Sequence, residues 1–337
     1  YGGGVDSSQR FTFNYNQLIS GGSLSADLTL DSTFEAQNYN KWLNDGSLVT
    51  KYKKNINTKY SINFESALET SKNYIQTTNP NNDLSYQSSL ATKINLNGYN
   101  LKKIDDKLLI NFSNYQANQN EDDNSSLPTV LPYINYNSGN YEFRKINYEN
   151  HFEFYNIYRD KKTSDYAKEQ QKLSHKISAS KKYLNFNSNI ILDGQFYSQY
   201  YNTIKKNVEV SNVYTGNIFR AFPILGARIE TPFKFKNNKF DFIYKPIFGL
   251  IISPGKSNSE KISNEDSALN TYSANNELSL NRYTGSDRLD NSKRLVSSFN
   301  IYNQDLKLNL TQSYEFTDNS NFQKDSGNEE NLSDLLG

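Results

Sequence analysis

The sequence predicts an all-β fold, an antiparallel transmembrane β-barrel of roughly 14 strands. Three observations predict it. Apolar and polar residues alternate with a period of two from end to end. Several runs hold that alternation for roughly nine to eleven residues, the length that crosses a bilayer at a tilt, whereas soluble strands stop at about five or six. The segments between runs are rich in Asn, Asp, Ser, Gly and Lys, some tight and others long, as in the short turns and long loops of outer-membrane barrels.

The elements follow in chain order. Phe11, Phe13 and Tyr15 alternate with Thr12, Asn14 and Asn16; Leu24, Ala26, Leu28 and Leu30 alternate with Ser25, Asp27, Thr29 and Asp31. Tyr60, Ile62 and Phe64 repeat the pattern, as do Leu108, Ile110 and Phe112, and Phe240, Phe242 and Tyr244. The clearest run places Leu306, Leu308, Leu310, Tyr314 and Phe316 on one face and Lys307, Asn309, Thr311, Ser313 and Glu315 on the other. Strand side chains point alternately to opposite faces, so each run has one apolar and one polar side. Residues 116–126 and 317–330 read as loops. The best helical candidate, Asp165 to Lys172, is short. A soluble β-sandwich or β-solenoid with its apolar faces in a core is the rival architecture. Strand length, the polar second face and the Tyr and Phe content favour the barrel.

Composition narrows the function. The 337 residues carry 37 basic and 36 acidic side chains, a net charge of +1, which lacks the basic excess of a nucleic-acid binder. Hydrophobic residues make up 35%, and mean hydropathy is −0.81. No stretch approaches the roughly 20 apolar residues of a helical membrane span. With 26 Tyr and 20 Phe the chain is too aromatic for disorder. It has no Cys, so disulfides, thiolate catalysis and zinc–thiolate sites are excluded. It has no Met and starts at Tyr1, which reads as an internal piece of a longer protein.

Chemical motifs are sparse. His151 and His175 stand in different segments without metal-ligand spacing. Gly2-Gly3-Gly4 and Gly21-Gly22 read as loop elements. Glu121-Asp122-Asp123, Glu265-Asp266 and Glu329-Glu330 offer oxygen ligands for a divalent cation, but solvated loops are the preferred reading. Dispersed lysine pairs read as loop charge. No catalytic, cofactor-binding or metal-ligating residue is assigned, and no enzyme activity is expected.

One region is denser. Tyr244 to Pro254 reads YKPIFGLIISP, followed by Asn264-Glu265-Asp266-Ser267, then Asn276 to Arg288 as NELSLNRYTGSDR. These segments resemble the LptD family of lipopolysaccharide-assembly outer-membrane proteins. Asn264, Glu265, Asp266 and Ser267 match its Asn-Glu-Asp-Ser motif. Asn281, Arg282, Gly285, Asp287 and Arg288 match its Asn-Arg-Phe-x-Gly-x-Asp-Arg segment, with Tyr283 for Phe. Gln312-Ser313-Tyr314, Phe322, Ser326-Gly327, Ser333-Asp334 and Gly337 follow the family order. So do Leu127-Pro128 to Pro132, Phe219 to Pro223 and Thr231-Pro232-Phe233. Leu278-Ser279-Leu280 departs from the family's Leu-Phe-Ser.

The resemblance implies a single β-barrel region over residues 1–337 of a longer protein, with the N-terminal jellyroll and last strands lying outside this chain. An isolated piece of that kind is expected to leave unpaired strand edges. It implies an integral outer-membrane protein that transports lipopolysaccharide and inserts it into the outer leaflet. The implied partners are lipopolysaccharide, an LptE-like plug lipoprotein and an LptA-like periplasmic bridge reached through the jellyroll; nucleic acid is not a partner. Another large outer-membrane channel, or a β-rich surface adhesin, is the alternative. For the motif residues, Arg282 and Arg288 beside Asp287, Asp290, Glu265 and Asp266 suggest a charge-assisted network in the lumen, with direct contact to lipid A phosphates as the rival role. Gly285 is expected to supply a turn closed to residues with a Cβ.

Overall fold

The computed structural model describes residues 6–35, 41–119, 123–209, 212–236, 241–254, 256, 258–268, 273–274, 276–304, 306–317 and 331–337. Gly2, Gly3, Gly4, Glu121, Asp122, Phe240, Phe322, Ser326, Gly327, Glu329 and Glu330 lie outside the described residues. The strands are β1 (Asp6–Ile19), β2 (Gly22–Glu35), β3 (Lys41–Asn55), β4 (Tyr60–Glu69), β5 (Ser89–Tyr99), β6 (Lys107–Ala117), β7 (Thr129–Asn137) and β8 (Tyr141–Phe143). They continue as β9 (Ile146–Tyr158), β10 (Glu169–Asn185), β11 (Ser188–Glu209), β12 (Asn212–Glu230), β13 (Phe233–Lys236), β14 (Asp241–Ile252), β15 (Lys293–Tyr302) and β16 (Lys307–Glu315). Among the described residues these form one 16-stranded sheet: fourteen follow a single meandering path, and the short β8 and β13 pair beside β9 and β14. The expected count matches the main path, and every pairing register described is antiparallel.

The chain forms two compact units. The first comprises residues 1–137, 153–163 and 167–171. Its strands β1 to β7 pair in sequence order. Phe11, Phe13, Tyr15, Leu30, Leu48, Ile94 and Phe112 stand exposed, and in β1 the intervening Thr12, Asn14 and Asn16 are exposed as well. A short helix, α1 (Tyr74–Thr78), lies in the connection between β4 and β5 and buries Ile75 against Ala67 and Leu90. No periodicity in five residues announces it. The expected helix at 165–172 is not formed: residues 164–168 are irregular and β10 begins at Glu169. The reason is period two, since Gln170, Lys172 and Ser174 are buried and Gln171 and Leu173 between them are exposed.

The second unit comprises residues 138–152, 164–166 and 172–337. Its faces reverse the usual sense of burial. Leu173, Leu192, Phe196, Phe219, Leu225, Phe248, Leu250 and Leu295 are exposed, whereas Lys172, Gln199, Arg294, Ser298 and Thr311 are buried. Within β12 the contrast runs from Ile224 at 0% exposure to its neighbour Leu225 at 62%. Leu306 and Leu308 also stand on the open side, at 59% and 40% exposure, with Thr311 buried on the other. An aromatic ladder marks the open face near the turn at 303–306: Tyr244 stacks on Phe233 at 6.2 Å and on Phe299 at 6.4 Å, and Phe248 meets Phe299 edge-on at 6.2 Å. The short turns at 186–187 and 303–306 lie at one end of these strands, and the connection at 253–292 lies at the other.

Candidate functional site

The connection between β14 and β15 makes the polar face a buried one. Its neck is closed where Ser253 N donates to Ser292 O at 2.9 Å and Ser292 N donates to Ser253 Oγ at 2.7 Å. From there the segment folds back onto the sheet. Leu278, Leu280 and Leu289 pack on Tyr197, Phe222, Ile224, Ile251 and Val296 from β11, β12, β14 and β15. Two glycines provide the room: a Cβ on Gly226 would lie 2.6 Å from Leu280 Cδ2, and one on Gly249 would lie 2.8 Å from Leu278 Cδ2. The Leu-Ser-Leu sequence therefore sets both leucines into notches on adjacent strands.

Two family motifs within this segment clasp each other. The Asp266 carboxylate accepts from Ser286 N at 3.0 Å, Asp287 N at 2.8 Å and Ser267 Oγ at 2.7 Å. The Asp287 carboxylate in turn accepts from Glu265 N at 2.8 Å and Asp266 N at 3.1 Å. Lys172 of β10 reaches both acids, Asp266 at 2.5 Å and Asp287 at 2.9 Å, with its side chain fully buried. Tyr201 of β11 donates to Asp287 at 3.1 Å. Arg220 of β12 donates to Ser286 O at 2.5 Å, Asp287 O at 2.9 Å and Gln199 Oε1 at 2.8 Å. Burial alone raises the Asp266 pKa, but Lys172 and the hydrogen bonds outweigh it and hold the acid at about 2. Gly285, at φ +72°, is obligatory in the turn, because a Cβ there would lie 2.3 Å from Asp266 O. Asn264 closes the other motif on itself: Ser267 N donates to Asn264 Oδ1 at 3.0 Å and Asn264 Nδ2 donates to Ser267 O at 2.7 Å.

A second buried network ties the same segment to β15 and β16. Arg282 donates to Asp290 at 2.6 Å, to Glu277 at 3.2 Å and to Glu315 at 3.5 Å. Arg294 donates to Asp290 at 3.0 Å, Ser292 Oγ at 2.9 Å and the Glu277 carbonyl at 3.1 Å. It also donates to the Ser279 carbonyl. Glu315 accepts from Ser292 Oγ at 2.5 Å and from Lys293 N at 2.7 Å. Burial opposes the charge of Arg282, yet Asp290, Glu277 and Glu315 together raise its pKa. Asn281 completes the turn by accepting from Asp290 N at 3.0 Å.

Of the residues singled out in the sequence, the structure brings Asn264, Glu265, Asp266, Ser267, Asn281, Arg282, Gly285 and Asp287 into this folded segment. Arg288 departs from expectation. Its backbone N–H donates to Ser267 Oγ at 2.9 Å, but its guanidinium makes no described hydrogen bond or ion pair and faces a separate cavity. Lys172, Arg220 and Arg294 supply the cationic partners instead. Arg220 lay within the quoted Phe219–Pro223 motif; Lys172 and Arg294 carried no signal beyond a charged residue inside an alternating run. Gln312, Tyr314, Ser333, Asp334 and Gly337 form a different group along β16. Gln312 Nε2 donates to Ser333 O at 3.0 Å, Ser313 N donates to Ser333 Oγ at 2.9 Å, and Leu336 bridges Thr311. Tyr314 lies on the open face, edge-on to Phe316, and Asp334 and Gly337 are exposed. Asp123 caps a short 3-10 turn by accepting from Ser125 N at 2.9 Å, and His175 stacks on Phe152 at 4.1 Å. Among the described residues no cluster of acids and histidines has metal-binding geometry.

A family model described as LptD, LPS transport system D, matches residues 44–337. A search of curated proteins found no match. Among solved structures, Salmonella typhi OmpF in complex with daunomycin matches with a TM-score of 0.31 and 11% identity, over 90% of this chain and 92% of that one.

Proposed function

We propose, from the premise that this chain belongs to the LptD family of lipopolysaccharide transport proteins, that it is the membrane-embedded barrel region of an outer-membrane translocon. On this reading the protein inserts lipopolysaccharide into the outer leaflet. The open face of the second unit meets lipid, and the face beneath the 253–292 segment lines the lumen. The observation that carries the reading is the reversed burial, with leucines and phenylalanines outward and ion pairs inward. Membrane barrels have this arrangement because hydrocarbon accepts apolar side chains and the lumen is polar. The aromatic ladder at the short-turn end is the expected interfacial girdle. Long loops are extracellular in such barrels, so the 253–292 segment enters from the cell exterior.

In this reading the two networks pin a loop inside the barrel. Lipid A phosphate is not their ligand, since Arg282, Arg294 and Lys172 already face Asp290, Glu277, Glu315, Asp266 and Asp287. An LptE-like lipoprotein occupying the lumen and an LptA-like bridge feeding an N-terminal jellyroll are the partners, and no bond is made or broken. The test is complementation of cells depleted of the full-length protein, scoring lipopolysaccharide at the surface. Wild type restores it. Lys172→Ala, which unfastens the loop, lowers delivery while protein still reaches the membrane. Full surface delivery by a protein whose 253–292 segment has been replaced with a short turn would refute the role given to the loop.

A further inference from the structure

We propose that a cavity of about 560 Å³ at the exterior end of β11 is a subsite for an anionic saccharide, with Lys206 and Arg288 holding its phosphate or carboxylate. The inference rests on the reading of this protein as a lipopolysaccharide translocon. Both cations are available. Lys206 Nζ donates to the Asn207 carbonyl at 2.9 Å, and neither Lys206 nor Arg288 forms an ion pair with a described residue. In contrast, Lys172, Arg282 and Arg294 all face carboxylates.

The local backbone is arranged to present Lys206. The β11–β12 register slips between Thr203 and Lys206, and Lys205 in the bulge has φ +55°, a left-handed conformation uncommon for a lysine. Bulges re-aim side chains and gather beside functional sites. Here the result is a lysine at 8% exposure on the cavity wall, whose ammonium feels Asp165 and Glu260 but is in ion-pair contact with no described carboxylate, so its buried charge is only partly compensated. A bound anion completes the compensation. Arg288, which lines the same cavity, is fixed because its backbone is held by Ser267 and the preceding Asp287 is locked in the clasp.

The remaining walls decide which anion fits. Asp165, Glu209 and Glu260 line the same cavity and repel a bare phosphate ion. Carboxylates are strong acceptors for hydroxyl groups. Tyr166 adds a ring that is 40% exposed. Two cations for one acidic group, three acceptors for hydroxyls and an aromatic surface for a pyranose ring together describe a phosphorylated or acidic sugar. Such a ligand comes either as a free sugar phosphate or as part of the glycolipid.

Titration calorimetry on the full-length protein in detergent micelles separates these sources. The probes are glucose 6-phosphate, glucose, inorganic phosphate and the phosphorylated oligosaccharide released from lipopolysaccharide by mild acid. Glucose 6-phosphate and the oligosaccharide should both bind, the oligosaccharide more tightly if the glycolipid is the natural source. Losing one charge-assisted contact in Arg288→Gln or in Lys206→Gln should weaken each by about tenfold. Arg288→Lys, which keeps the charge, should retain part of the affinity. Inorganic phosphate binding as tightly as glucose 6-phosphate would overturn the saccharide assignment. So would no binding of either sugar ligand, or a loss in one glutamine variant without the other. Surface lipopolysaccharide is scored separately. A protein that delivers lipopolysaccharide but ignores sugar phosphates overturns the subsite alone; one that binds them but never delivers overturns the transport reading.

Discussion

Replacing Lys172 with Ala removes a side chain that touches both acids of the clasp. In the wild type its ammonium lies 2.5 Å from Asp266 and 2.9 Å from Asp287, and both Lys172 and Asp287 are almost wholly shielded from water. Without it, two carboxylates share a buried site beside Arg220, which is bonded to carbonyls there and not to either carboxylate. Breaking a buried ion pair by deleting one partner costs about 3–5 kcal/mol, because the remaining charge stays desolvated. The backbone amides of Glu265, Asp266, Ser286 and Asp287 all donate to these carboxylates, so they report the clasp directly. Local opening easier by that amount raises their hydrogen-exchange rates at least about a hundredfold. Amides within the β11–β12 ladder should keep their protection. Exchange at the four amides unchanged in Lys172→Ala would show that the carboxylates hold the turn without the lysine and that the electrostatic account is wrong.

Other outcomes follow from the same geometry. Gly285→Ala forces a Cβ against the Asp266 carbonyl and a left-handed alanine, which alone costs about 1–2 kcal/mol, so the same four amides should lose protection with every charge intact. Asp266 sits at about 2, below its ordinary 3.8, so its contribution is fully present above about 4 and is lost as pH falls through about 2. Burial raises the Asp287 pKa, so its protonation adds to stability as pH falls, and the protection factors of these amides, followed from pH 7 downward, should not drop until Asp266 titrates. Leu308→Lys places a charge on the open face and should cost about 2–4 kcal/mol if the position lies near the bilayer midplane, measured as a shift in folding equilibrium in lipid vesicles.

Much of the fold was legible because period two is a local signal. Runs such as Leu306 to Phe316 carry both the strand and the division between its faces, and most connections announce themselves by Asn, Asp and Gly. The alternation does not say which face is buried, since a soluble sandwich and a membrane barrel share it. The site was half legible. The acidic motif and the Arg282–Arg288 segment stood out, and Gly285 proved to need its freedom. Their cationic partners did not stand out, because Lys172 lies 94 positions before Asp266 and meets it only through strand register and a long fold-back. Arg288 misled for the same reason. Six residues from Arg282, it emerges on another wall, and Arg294 takes the place beside Asp290.

The separation of the clasp partners also sets an order of assembly. The β11–β12 hairpin pairs Glu209 with Asn212 and can zip outward from its turn, so each step closes a short loop. The clasp has no such route. Lys172, Tyr201 and Arg220 must first be aligned on three strands before Asp266 and Asp287 have anything to meet. Contacts between distant positions form slowly because chain entropy is lost before they repay it. The 253–292 segment therefore docks late, after its binding surface exists, and until then its cleavage by an added protease should provide a clock for the final step of folding.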